Sequence, residues 1–252
     1  MDRALASAIA HSWHPIAAPV SEANAHRLLT RLEPEIPSER PRLLDLGCGS
    51  GEWLLAALEL LHGWEGIGVD LSEAALDEAR SKAQARRELR DRVRFEQADA
   101  ASWTGGAFDV VLCVGATHAF GGLGPTLKAL RTHLCPGGRV LLGEGYWEGT
   151  PTQAALEALG AEPGELPDLG GLVREIQRHG FEPGYAHLSS AEEWDDYEWS
   201  WTGALAAWAL DEADGEDREA ALALAREHRR QWLEGYRGEL GFATVVLHDT
   251  GA

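Results

Sequence analysis

Cationic side chains are scarce in this chain of 252 residues: 22 Lys and Arg face 41 Asp and Glu, a formal net charge of −19. A surface of that sign repels phosphate backbones and anionic lipid headgroups, which argues against a nucleic-acid or membrane partner. The short basic run Arg86-Arg87-Glu88-Leu89-Arg90 falls late in a predicted helix, where its charges complement the helix dipole. Cysteine is sparse as well. Cys48, Cys113 and Cys135 lie far apart and form no CxxC or Cys/His metal pattern, so reduced thiols in a cytoplasmic protein are expected. The apolar stretch 4–10 is too short to span a membrane and lacks the basic leader of a signal peptide. No internal repeat or low-complexity tract is present. What is there is 44% hydrophobic, enough for the core of one large domain or of one domain with an insertion.

Along the chain, residues 1–33 read as helical, with Ser21 placed to cap and Ala25, Leu28, Leu29 and Leu32 along one face. Pro34, Pro37 and Pro41 then break the pattern, marking 1–40 as an N-terminal helical lid and linker ahead of a main domain at 41–252. From residue 42, short apolar runs alternate with longer helical ones. Strands are expected at 43–46, 66–70, 93–97, 108–114 and 139–143, with helices at 51–61, 72–89 and 123–134 between them. Crossovers of that length imply parallel pairing, hence an α/β doubly wound sheet with helices on both faces. Later strands are expected near 185–188 and 242–248, making seven. Insertions at about 145–170 and 191–240 follow the fifth and sixth strands, the second being helical. Ligands of such sheets bind beyond the carboxyl ends of the strands, where these insertions begin.

The first strand runs into Asp45-Leu46-Gly47-Cys48-Gly49-Ser50-Gly51. A tight glycine turn between strand and helix lets backbone approach a ligand closely. Dinucleotide sites use G-x-G-x-x-G, and the third glycine of that pattern would fall on Glu52. Asp45 inside the strand suits an ammonium group better than a pyrophosphate. The spacing therefore favours a ligand carrying an amino acid over a dinucleotide.

This stretch resembles the first motif of class I S-adenosylmethionine-dependent methyltransferases, and three further stretches resemble that family in order and spacing. Asp70 ends Gly66-Ile67-Gly68-Val69-Asp70, Asp99-Ala100 follows Val93-Arg94-Phe95-Glu96-Gln97-Ala98, and Leu134-Cys135-Pro136-Gly137-Gly138 leads into the fifth strand. The resemblance implies a Rossmann-like, mostly parallel seven-strand sheet that binds S-adenosylmethionine and releases S-adenosylhomocysteine. It implies a cofactor set of Asp45, Gly47, Cys48, Gly49, Asp70, Leu71, Asp99, Ala100 and Gly115, with Asp70 on the ribose hydroxyls and Asp99 on the adenine amino group. A weaker likeness links His14-Pro15, Gly115-Ala116-Thr117, Gly143-Glu144-Gly145-Tyr146-Trp147 and Glu193-Trp194-Asp195-Asp196-Tyr197 to small bacterial methyltransferases without an assigned substrate.

The fourth strand ends without the Asn/Asp-Pro-Pro-aromatic run of enzymes that methylate base nitrogens or glutamine amides, and without the acidic ligands of metal-dependent catechol-type enzymes. A metal-independent small-molecule methyltransferase is the expectation. His118, just past that strand, is the candidate base, and Glu144 and Tyr146, after the fifth strand, are candidates to meet the acceptor. Trp194, Tyr197, Trp201, Leu205 and Trp208, at steps of three and four, read as a packed helix face. A non-catalytic cofactor-binding or regulatory protein remains open, as does a dinucleotide-dependent oxidoreductase, against which Glu52 argues.

Overall fold

The computed structural model describes residues 1, 3–35 and 38–251; Pro37 of the expected linker lies outside them. Helices α1 (Arg3–Ala10) and α2 (Glu22–Leu29) come first. Then follow β1 (Arg42–Leu46), α3 (Glu52–Leu60), β2 (Glu65–Asp70), α4 (Glu73–Ala85), β3 (Val93–Gln97) and β4 (Phe108–Val114). A 3₁₀ turn (Thr117–Phe120) precedes α5 (Leu123–Thr132) and β5 (Leu134–Trp147). The remainder is α6 (Gln153–Leu159), α7 (Leu169–Arg178), β6 (Phe181–Leu188), α8 (Ala191–Asp211), α9 (Gly215–Gln231), a π-helical turn (Trp232–Tyr236) and β7 (Leu240–Asp249).

The seven strands form one sheet in the order β3-β2-β1-β4-β5-β7-β6. Pairs β1–β2, β2–β3, β1–β4 and β4–β5 are parallel, and β6–β7 is antiparallel. This is the expected Rossmann-like sheet. Its order reverses between β1 and β4, the position where such sheets open a crevice for ligands. Strand β4 is buried from Phe108 to Cys113, as are Leu43, Leu44 and Leu46 of β1 and Val140, Leu141 and Leu142 of β5. Central parallel strands are covered on both faces, so they read as continuous apolar runs. Ser72 caps α4 by accepting from the Ala75 amide.

The chain divides into two compact units. One comprises residues 22–144, 171–188 and 243–252 and holds most of the sheet; the other gathers 1–21, 145–170 and 189–242. The N-terminal stretch is two helices, and residues 11–21 between them are not helical; Pro15 and Pro19 oppose a continuous helix there. Helix α1 falls in the second unit and α2 in the first. Strand β5 begins at Leu134 rather than at Arg139. The Pro136-Gly137-Gly138 segment is a bulge within it, where the pairing with β4 jumps from Phe108↔Leu134 to Val110↔Arg139. It also runs on through Glu144 and Tyr146 to Trp147, so those residues belong to the strand itself.

Candidate functional site

Register sets the site. Asp45 pairs with Gly68 of β2 and Leu112 of β4, and Asp70 pairs with Gln97 of β3. The turns leaving β1, β2, β3 and β4 therefore share one edge of the sheet. The first two are tied together closely. The amides of Gly47 and Cys48 both donate to the Val69 carbonyl, at 2.9 and 3.1 Å, and the Gly49 amide donates to Asp70 Oδ2 at 2.8 Å. The Ser72 amide donates to Asp70 Oδ1 at 2.8 Å.

These bonds decide what the glycine turn can hold. A pyrophosphate cradle needs free loop amides and positive potential. Here three successive amides are spent inside the protein, and a carboxylate stands beside the third. Such a turn suits a cationic or neutral ligand. Gly47 serves close packing: its φ is +76°, and a Cβ there would lie 2.4 Å from that of Ala116, in the turn after β4. At Gly49 a Cβ would meet nothing within 4 Å, which leaves that side of the turn open.

Asp45 is buried, and desolvation, with the Asp70 carboxylate adding to it, pushes its carboxyl up to about 8. Burial and the same two carboxylates push the Cys48 thiol up, so it is no nucleophile. Leu71, next to Asp70, is 64% exposed, an apolar side chain left uncovered beside a carboxylate. Asp99 accepts from the Ala101 amide at 3.0 Å and from the Ser102 hydroxyl at 3.2 Å; Ala100 is buried and Gly115 is exposed at the end of β4. Each carboxylate oxygen has a second lone pair, so the bonds made by Asp70 and Asp99 leave them able to accept more.

His118 sits in the 3₁₀ turn after β4, exposed, and its imidazole makes no hydrogen bond or ion pair among the described residues. Glu144 is buried on β5. Tyr146 is 1% exposed; its hydroxyl donates to Glu148 Oε1 at 2.8 Å, and burial together with that carboxylate pushes the phenol up. Among the described residues, no group of three or more His, Cys, Asp or Glu is arranged to hold a metal ion.

Comparison with known proteins agrees with this geometry. Residues 44–140 match the model of the methyltransferase domain. The chain is 35% identical over 196 residues to the uncharacterized protein YjhP of Escherichia coli, covering 75% of this chain and 76% of that one. It superposes on an S-adenosylmethionine-dependent methyltransferase from Thiobacillus denitrificans, solved with S-adenosyl-L-homocysteine, at a TM-score of 0.85 and 28% identity, over 99% of both chains. The chain belongs to the class I S-adenosylmethionine-dependent methyltransferases. The 27-O-demethylrifamycin SV methyltransferase of Amycolatopsis mediterranei is 32% identical to this methyltransferase over 149 residues, 58% of this chain and 53% of that one.

The second unit of the methyltransferase holds polar groups that the sequence alone did not single out. Glu198, 2% exposed, accepts from the Tyr236 hydroxyl at 2.7 Å and bonds His228 Nε2 at 2.8 Å. The His228 ring stacks on Trp201 at 3.9 Å. A glutamate inside an otherwise aromatic helix face was the available signal, but its partners come from distant residues. Trp201 packs against Ala10, Leu205 and Ala209, part of the apolar face expected of α8. Among the described residues no helix is long and apolar enough to cross a membrane.

Proposed function

We propose that this methyltransferase acts on a small-molecule acceptor without a metal ion. S-adenosylmethionine would supply a methyl group on a positively charged sulfonium: an acceptor lone pair bonds to the methyl carbon in line as the carbon–sulfur bond breaks, its electron pair staying on the sulfur of S-adenosylhomocysteine. Cofactor recognition is assigned to Asp45, Gly47, Cys48, Gly49, Asp70, Leu71, Asp99, Ala100 and Gly115. The observation that carries this assignment is the glycine turn whose amides are spent on Val69 and Asp70. With the Asp70 carboxylate beside it and the Asp45 carboxyl able to ionise against a bound cation, the turn favours the ammonium and sulfonium charges and disfavours a pyrophosphate. Leu71 offers an uncovered apolar surface to a purine face, and the free lone pairs of Asp70 and Asp99 can accept from ribose hydroxyls and an adenine amino group.

The small-molecule reading rests on the net charge of −19, which opposes a polyanionic acceptor, and on the rifamycin-methylating relative. His118 is assigned as proton acceptor, because it is exposed and its imidazole is uncommitted. Tyr146, held neutral by burial and by Glu148, to which it donates its one hydroxyl proton, is a poor base. Glu144 is the third acceptor-side candidate.

The test follows methyl-labelled S-adenosylmethionine into a panel of phenols, amines and thiols in the presence of EDTA. Label transfer to at least one of these is expected. His118→Ala should lower kcat about 10²-fold or more while leaving cofactor affinity unchanged. Turnover that needs added metal, or an unaltered kcat in that variant, refutes the corresponding part.

A further inference from the structure

Gly49 and Gly51, with left-handed backbones at φ +51° and +78°, flank Ser50 in the glycine turn. Glycine gives up more backbone freedom on ordering than any other residue, so a turn built on it needs restraint from outside. Helix α3 supplies little of that restraint, because Gly51 at its N-cap offers no side-chain bond. The Val69 carbonyl and Asp70 hold the first half of the turn. The second half is held from α4, through Lys82.

An ammonium has three N–H donors, and each of those on Lys82 has an oxygen to meet. Its Nζ lies 3.1 Å from Ser50 Oγ, 2.8 Å from Glu52 Oε1 and 2.6 Å from Glu78 Oε1. Glu78 is one turn away on the same helix, so that pair holds nothing but α4. Ser50 and Glu52 belong to the glycine turn and to the start of α3, so those bonds join the turn to α4. Glu52 is answered on its other oxygen by an Arg86 Nη at 3.3 Å, and Arg86 Nε reaches Glu59 Oε1 at 2.9 Å. Arg86, the first residue of the basic run, thus grips the last turn of α3 as well as its start. The Glu52 side chain is 14% exposed and that of Lys82 25%, a partly buried network that solvent screens less than an open surface pair. A glycine at position 52, as the dinucleotide pattern requires, would remove its anchor.

We propose that Lys82 is a positioning residue for S-adenosylmethionine, acting through Ser50 and Glu52 to hold the glycine turn in its binding shape before the cofactor arrives. A turn already ordered loses little backbone freedom on binding, whereas re-ordering even one residue costs about tenfold in affinity. The inference rests on the glycine turn as the cofactor site, which Asp70→Ala tests separately. Weakened binding in Asp70→Ala beside unchanged binding in Lys82→Met sinks this inference alone.

Calorimetry titrates the full chain with S-adenosylmethionine and with S-adenosylhomocysteine, well below the thermal midpoint. Lys82→Met keeps an unbranched side chain and removes its charge and donors; it should raise both Kd values about tenfold with the stoichiometry unchanged. In the label-transfer assay KM for the cofactor should rise in step, while kcat at saturation stays within about twofold. Ser50→Ala should weaken binding about threefold or more by itself, and should cost less than about twofold more when added to Lys82→Met. Because it removes one atom, it also carries the test should Lys82→Met fold poorly. Arg80→Gln breaks the ion pairs to Glu73 and Asp77 on the same helix without touching the turn, and should bind as the wild type does. Wild-type affinity in Lys82→Met, a loss of sites at unchanged affinity, a kcat that falls with affinity, an equal loss in Arg80→Gln, or independent losses in the double variant overturns the proposal.

Discussion

Asp45 gives the sharpest test, because its burial has two measurable consequences. Its carboxyl, pushed up to about 8, holds a proton that the unfolded chain loses near 4. Between those values the folded state binds more protons than the unfolded one, so this group makes stability fall as pH rises and adds no further slope above 8. The accumulated cost at pH 9 is on the order of 5 kcal/mol as a ceiling, and relaxation around the carboxylate brings it to about 2–4 kcal/mol. Asp45→Asn removes the charge at constant shape. Urea unfolding from pH 5 to 9 should therefore show the variant gaining on the wild type, by up to about 1.4 kcal/mol per pH unit across the window. Parallel stability curves would refute the buried neutral carboxyl. The second consequence concerns the cofactor. At pH 7 a group with a pKa of 8 is about 90% protonated, so a bound ammonium that ionises it releases about 0.9 proton. Calorimetry of S-adenosylmethionine binding in buffers of different ionisation enthalpy reads this directly. A binding heat independent of buffer removes Asp45 as the partner of that ammonium.

Two further variants probe the same edge of the sheet. Asp70→Ala should weaken cofactor binding by about 1–3 kcal/mol in calorimetry, and should also lower the thermal midpoint because the Gly49 and Ser72 amides lose their acceptor. Unchanged affinity would show that Asp70 only holds the turn together. Gly47→Ala should cost about 1–2 kcal/mol for a left-handed backbone, with a further loss from its collision with Ala116. In chemical denaturation the pair Gly47→Ala with Ala116→Gly should recover the collision part alone.

Much of the sheet was legible because its signals are local. An apolar run bounded by a glycine turn and followed by a helical period names a strand wherever its neighbours lie, and five such runs in series imply parallel crossovers. Boundaries were lost where tertiary pairing overrides local punctuation. Pro136-Gly137-Gly138 reads as a turn, yet β5 continues through it because β4 supplies partners on either side of the bulge. Residues 153–159 fall in the stretch expected only as an insertion at about 145–170, and they form α6 with Thr152 as its cap. The N-terminal stretch expected to be helical, with a cap at Ser21, is two helices, the second starting at Glu22, and they fall in different units.

The glycine turn, the acids at the ends of β1 and β2, and the order of the motifs are properties of contiguous residues, so the chain alone determined them. Which groups those acids meet is another matter. Asp70 takes the Gly49 amide across 21 positions of sequence, and Asp45 is driven toward neutrality by surroundings that no local pattern describes. The same holds for Glu198 between His228 and Tyr236. Only the tertiary structure decided these, because burial and hydrogen-bond partnership depend on segments that folding brings together from distant parts of the chain.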